Sequence, residues 1–91
     1  MPALEQQVTV LNAYGIHARP AAMFVKIAGR YQADIKVERD GMQVSGKSIM
    51  GLLTLGSEQG TELLLLADGE DAAEAIEALV ELFDRKFDEE E

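Results

Sequence analysis

Asp34-Ile35-Lys36-Val37-Glu38-Arg39-Asp40-Gly41-Met42-Gln43-Val44 is the stretch on which the fold turns. Ile35 and Val37 alternate with Asp34, Lys36 and Glu38, and Met42 and Val44 alternate after Asp40-Gly41. Alternation with a period of two marks a strand with one buried face. Asp-Gly between two such runs is a strong hairpin signal. The turn that matches strand twist needs positive φ at both central residues, which Gly adopts freely and Asp tolerates. An antiparallel pair is therefore predicted in the middle of the chain.

Upstream, Val8 and Val10 flank Thr9, which predicts a half-buried strand over residues 5–11, and residues 12–15 read as a loop. Residues 18–30 turn helical, with Phe24, Ile27, Ala28 and Tyr31 at i, i+3, i+4 and i+7. Pro20 falls in the first turn, where a missing N–H costs nothing, and Gly29 weakens the last. Downstream, Ser48 precedes Ile49-Met50-Gly51-Leu52-Leu53-Thr54-Leu55, a short helix ending near Gly56. Residues 61–67 read as a strand with Leu63, Leu65 and Ala67 on one face and Leu64 and Leu66 on the other.

The last helix is the clearest element: Ile76, Leu79, Val80, Phe83 and Phe87 fall at i, i+3, i+4, i+7 and i+11. Asp68 is placed to cap it, Glu70 and Asp71 suit its positive end, and Arg85 and Lys86 its negative end. Glu81 and Arg85 form an i,i+4 pair. The order β-α-β-β-α-β-α, with one-sided helices, predicts an α+β fold: an antiparallel sheet covered by helices on one face. Leu64 and Leu66 would then face water, which points to self-association or to cover by the residues after Phe87.

With 91 residues the chain is expected to form one domain, 1–91, of which residues 88–91 would fray as an acidic tail. Eight basic side chains face seventeen acidic ones, a net charge of −9. The imbalance is local: residues 62–91 carry twelve acids against Arg85 and Lys86, whereas residues 1–61 carry five acids and six bases. The net charge argues against non-specific nucleic-acid binding, which rests on Lys and Arg neutralising phosphates. The absence of cysteine excludes disulfides and thiolate metal sites, and one histidine makes a transition-metal site improbable. Neither a membrane-spanning apolar run nor a secretory signal is read, so a cytoplasmic protein is expected, without cofactor or metal.

The one histidine, His17, stands in Gly15-Ile16-His17-Ala18-Arg19-Pro20-Ala21-Ala22, where a loop enters a helix. The first amides of a helix lack intrahelical acceptors and carry partial positive charge, so an anion placed there finds donors ready. Arg19 adds a charged fork suited to phosphate oxygens, and Gly15 lets the backbone bend sharply before the histidine. Imidazole is in part neutral near pH 7, and a neutral ring is a nucleophile. The residues fit a reversible phosphoryl carrier, but on their own they favour a histidine that merely caps or packs at a helix start, with a metal or acid–base role as a third reading. A hydrolase using His17 as base is weak, since Ser45, Ser48 and Ser57 have no catalytic signature around them.

The segment Gly15 to Ala22 resembles the active-site signature of HPr, the histidine-containing phosphocarrier family of the bacterial phosphotransferase system. Gly46-Lys47-Ser48-Ile49-Met50-Gly51 resembles the family's second signature, around a regulatory serine. The resemblance covers essentially the whole chain and implies an open-faced β-sandwich: a four-stranded antiparallel sheet, order 1-4-2-3, with three helices on one face. It implies a carrier rather than an enzyme. Enzyme I, phosphorylated from phosphoenolpyruvate, would pass the phosphoryl group to Nδ1 of His17, which would hand it to a histidine of an enzyme IIA domain. Arg19 would steady the group, and Pro20 and Gly15 would be structural.

Ser48 has two compatible expectations: a helix N-cap, worth about 1 kcal/mol, and a regulatory site for HPr kinase/phosphorylase. Ile49 and Met50 are expected in the docking patch, Leu52 and Leu53 partly in the core, and Arg19, Lys26 and Lys47 in a basic rim that meets acidic partners. Two alternatives stand beside this reading. One is the nitrogen-related paralogue, with regulatory targets; the other is a binding module that uses the Ile49/Met50 patch without phosphate turnover. The retained His17 argues against the catabolite-repression homologue that lacks it.

Overall fold

The computed structural model describes residues 3–89. Among them, four strands, β1 (Leu4–Thr9), β2 (Asp34–Arg39), β3 (Met42–Ser45) and β4 (Glu62–Asp68), form one antiparallel sheet of order β1-β4-β2-β3. Helices α1 (Ala18–Ala28), α2 (Ile49–Leu55) and α3 (Ala72–Asp84) cover one face, and a short turn of 3-10 helix, Lys86–Asp88, follows. The hairpin closes as its residues require: Asp40 and Gly41 both have positive φ, 50° and 84°, and Arg39 pairs with Met42.

Period-two alternation delivers Val8, Ile35, Val37, Leu63, Leu65 and Ala67 to the covered face, where all are buried. Phe24 of α1, Leu52 and Leu55 of α2, and Leu79, Leu82 and Phe83 of α3 close over them. Burying a side chain of this size contributes roughly 1.5–3 kcal/mol. Phe83 joins the layers, meeting Phe24 edge-to-face at 6.2 Å and Phe87 at 4.9 Å.

The structure differs from the sequence reading at both ends of α3, on the open face of the sheet and in the tail. Phe87 is buried but is not on α3. That helix ends at Asp84, and Lys86, Phe87 and Asp88 follow with φ of 55°, 55° and 58°, a left-handed turn from which Phe87 is buried in the core. The N-cap position of α3 is held by Asp71 rather than Asp68, which ends β4. The Asp71 carboxylate does not cap; it accepts from the Gln32 and Ala33 N–H groups, each at 2.8 Å, and so ties α3 to the α1–β2 connection.

Leu64 and Leu66 lie on the open face but are only half-exposed. Leu64 sits between Gln7 and Glu38, and Leu66 between Glu5 and Lys36. Direct cross-strand neighbours are about 5 Å apart, so the stems of these long side chains screen the leucines. Glu89 gives no cover there, since its carboxylate bonds to Asn12 and His17 instead. Asp88 and Glu89, expected to fray, are placed by backbone bonds to Arg85 and Lys86; Glu90 and Glu91 lie outside the described residues.

Candidate functional site

The loop between β1 and α1 is held rigidly before it reaches His17. The Ile16 N–H donates to the Ser57 carbonyl at 2.7 Å, and the Ile16 side chain is buried beside Leu52, Leu55 and Phe83. Gly15 has φ of +69°, and a Cβ there would run into the Ser57 carbonyl oxygen and come within 2.8 Å of Glu58 Cα. Only glycine combines that conformation with that approach.

His17 is the N-cap residue of α1, with extended backbone (φ −96°, ψ −166°), and its carbonyl accepts the first helical bond, from Ala21 at 3.0 Å. Its ring does not cap the helix. The N–H groups of Ala18 and Arg19 precede that first bond, and Pro20, buried in the same turn, has none to satisfy. Arg19 is exposed and makes no hydrogen bond or ion pair among the described residues. An anion at this point meets two amides and a guanidinium that have no hydrogen-bond partner among the described residues.

The ring itself is anchored from the other side. His17 Nε2 lies 2.8 Å from Glu89 Oε2, and Glu89 Oε1 accepts from Asn12 Nδ2 at 2.8 Å. Asn12 also donates to the Gly15 carbonyl at 2.7 Å, and its buried Oδ1 has no partner among the described residues. Burial pushes the Glu89 carboxyl up, but the bonds from Asn12 and His17 and the positive groups of His17 and Arg19 outweigh it and hold the acid below its usual range. An ionised carboxylate only accepts, so the ring donates to it from Nε2, and in its neutral form that tautomer carries the lone pair on Nδ1. Nδ1 has no partner among the described residues, and the side chain is 43% exposed. The arrangement is a nucleophilic nitrogen aimed away from its support.

Two of these residues escaped the sequence reading. Asn12 had a signal: it continues the inward alternation of Val8 and Val10, a polar side chain where the pattern calls for an apolar one. Glu89 had none, because its approach depends on the left-handed turn before it.

The remaining candidates are more dispersed. Ser48 caps α2, its Oγ accepting from the Gly51 N–H at 3.0 Å. Ile49 and Met50 are 40% and 72% exposed, whereas Leu52 is buried and Leu53 half-buried against the core. Lys26 and Lys47 do not gather round His17. Lys26 lies in the last turn of α1, and Lys47 Nζ donates to the Tyr31 carbonyl just beyond that helix, so both sit where cations suit a helix C-terminus. Of the expected basic rim, Arg19 alone adjoins the histidine in the chain.

A histidine presented at a helix start beside amides without helical acceptors is chemically able to hold an anionic group. Residues 4–85 match the family model described as the PTS HPr component phosphorylation site. The chain is 49% identical over 90 residues to phosphocarrier protein HPr of Pseudomonas aeruginosa, covering 98% of both, and 49% identical over 76 residues to the HPr-like protein Crh of Bacillus subtilis, covering 84% and 89%. Its structure is similar to a crystal structure of HPr-C-His from Thermoanaerobacter tengcongensis, with a TM-score of 0.93, 46% identity, and 97% and 99% of the two chains covered. The chain belongs to the HPr family, the phosphocarriers of the phosphotransferase system. Among the described residues no helix is long and apolar enough to cross a membrane.

Proposed function

We propose that the chain, acting as one domain, accepts a phosphoryl group on Nδ1 of His17 from phosphorylated enzyme I and donates it to a histidine of an enzyme IIA domain. The observation that carries this reading is the helix-start histidine whose Nε2 is engaged while Nδ1 is open. The Nδ1 lone pair attacks phosphorus, and the donor's bond to phosphorus breaks with its electron pair left on the donor. The phosphoryl oxygens then meet the Ala18 and Arg19 amides and the Arg19 guanidinium, which offset charge gained on transfer. The acceptor's histidine reverses the steps. Nothing here turns over without a partner, so the protein is a carrier, at work in the cytoplasm.

The exposed Ile49 and Met50 provide the apolar part of the docking surface, and Arg19, with Lys26 in the last turn of α1 and Lys47 between β3 and α2, its positive part. Ser48 stands for regulation: HPr kinase/phosphorylase would add a dianion at the start of α2, beside those docking residues. The test is intact mass after mixing with enzyme I, Mg²⁺ and phosphoenolpyruvate, with His17→Ala as control. One acid-labile phosphoryl adduct on the wild type, absent from the variant, is expected. No adduct, with the same enzyme I active on another acceptor, would sink the carrier and leave the binding module ahead.

A further inference from the structure

We infer that Glu89 is a positioning residue for phosphoryl transfer: its carboxylate holds the proton on His17 Nε2, presents Nδ1 to the donor, and balances the charge that the ring acquires when Nδ1 binds phosphorus. The inference rests on the carrier reading above. As the N–P bond forms, the proton stays on Nε2 and the ring takes on imidazolium character. The same carboxylate, 2.8 Å from that nitrogen, then faces a fuller positive charge than before. A carboxylate on the far nitrogen of a reacting imidazole fixes its tautomer and stabilises the cation without taking the proton.

Three observations support a built arrangement. Glu89 is the better buried partner, its side chain 11% exposed against 43% for His17. Its other oxygen is fixed by Asn12, a fully buried side chain that also braces Gly15, so the support and the loop that aims the ring are one network. Glu89 reaches the site through three successive non-glycine residues in left-handed conformation, with Phe87 between them anchored in the core. Such backbone is costly outside glycine and persists only where the surroundings impose it.

The opposite role, an acidic shield over the histidine, fits less well. A shield would bond to Nδ1 or form an ion pair with Arg19; Glu89 bonds to Nε2 instead, and Arg19 acts on it through its field without an ion pair among the described residues.

The experiment is rapid-quench transfer from phosphoenolpyruvate through limiting enzyme I, run on wild type, Glu89→Gln and Glu89→Ala. A ¹H–¹⁵N spectrum of the His17 ring accompanies it. Glu89→Ala is expected to accept the phosphoryl group about tenfold more slowly, the scale of a lost hydrogen bond to a charged group. Glu89→Gln, which keeps an oxygen acceptor without the charge, should fall between. The wild type is expected to show a slowly exchanging Nε2–H resonance, and Glu89→Ala to lack it. Transfer in Glu89→Ala as fast as wild type or faster, or an unchanged Nε2–H resonance, would overturn the inference. So would unchanged transfer with a lowered melting temperature, since Glu89 would then only tie down the tail. A wild type that takes no phosphoryl group fails at the earlier step, and the carrier reading falls with the inference.

Discussion

Gly15 and Gly41 both have positive φ, +69° and +84°, yet they differ in what a side chain would meet. At Gly41 nothing lies within 4 Å of an added Cβ, so Gly41→Ala should cost only the left-handed penalty, about 1–2 kcal/mol. At Gly15 the same penalty is joined by collision with the Ser57–Glu58 backbone, which cannot withdraw without moving the Ile16 bond to the Ser57 carbonyl. Gly15→Ala should therefore be clearly the more destabilising in urea denaturation. It should also slow phosphoryl acceptance, because His17 is only two residues on, whereas Gly41→Ala should leave acceptance unchanged. Equal losses of stability, or an unaffected Gly15→Ala carrier, would show that the β1–α1 loop does not need this close approach. Ser48→Ala is a second test at this scale: losing the bond to the Gly51 N–H should cost about 1 kcal/mol by denaturation.

Helix α2 has seven residues, too few to stand without help at its ends. Ser48 serves the start. At the other end Gly56 turns left-handed, and Arg39 Nη1 donates to the carbonyls of Leu55, at 3.1 Å, and Gly56. Arg39→Ala should cost about 1–2 kcal/mol, since those carbonyls lose a charged donor, and amide exchange should quicken in α2 before the sheet. Uniform quickening across both would place the loss in the hairpin instead. Nothing in the sequence marks Arg39 for this task, because a strand residue and a helix end sixteen positions apart meet only in the folded molecule. What was legible had a local cause: the Asp-Gly turn, the alternation of Ile35 and Val37, the Ser48 cap, the helix start at His17. The sheet order came from resemblance rather than from periodicity. Asp71 and Glu89 were misjudged because composition shows acids suited to a helix end or a solvated tail, while their partners are backbone amides and side chains of distant segments.

Those two carboxylates give the whole molecule a pH dependence whose sign is fixed. The Gln32 N–H, with that of Ala33, holds the Asp71 carboxyl below its usual value against the opposing effect of burial, and Glu89 is likewise lowered on balance. The folded chain then binds fewer protons than the unfolded one in the acid range, so stability rises with pH. The contribution is fully present above the ordinary values of 3.8 and 4.5 and is lost as the pH falls through the lower folded-state values. A net charge of −9 works the other way, since protonation relieves repulsion among the twelve acids of residues 62–91. The two effects separate by substitution and by salt. Repulsion is screened by salt and survives in Asp71→Asn/Glu89→Gln, whereas that variant lacks the two titrating carboxylates and the charge that strengthens their bonds. Urea unfolding from pH 7 to pH 3 in 0.5 M salt should show wild-type stability falling steeply towards acid and that of the double variant falling less. The double variant should already be weaker at pH 7, and the two curves should converge at the acid end. Parallel curves would mean that neither tie, from Asp71 to the α1–β2 connection nor from Glu89 to His17, holds distant parts of the chain together.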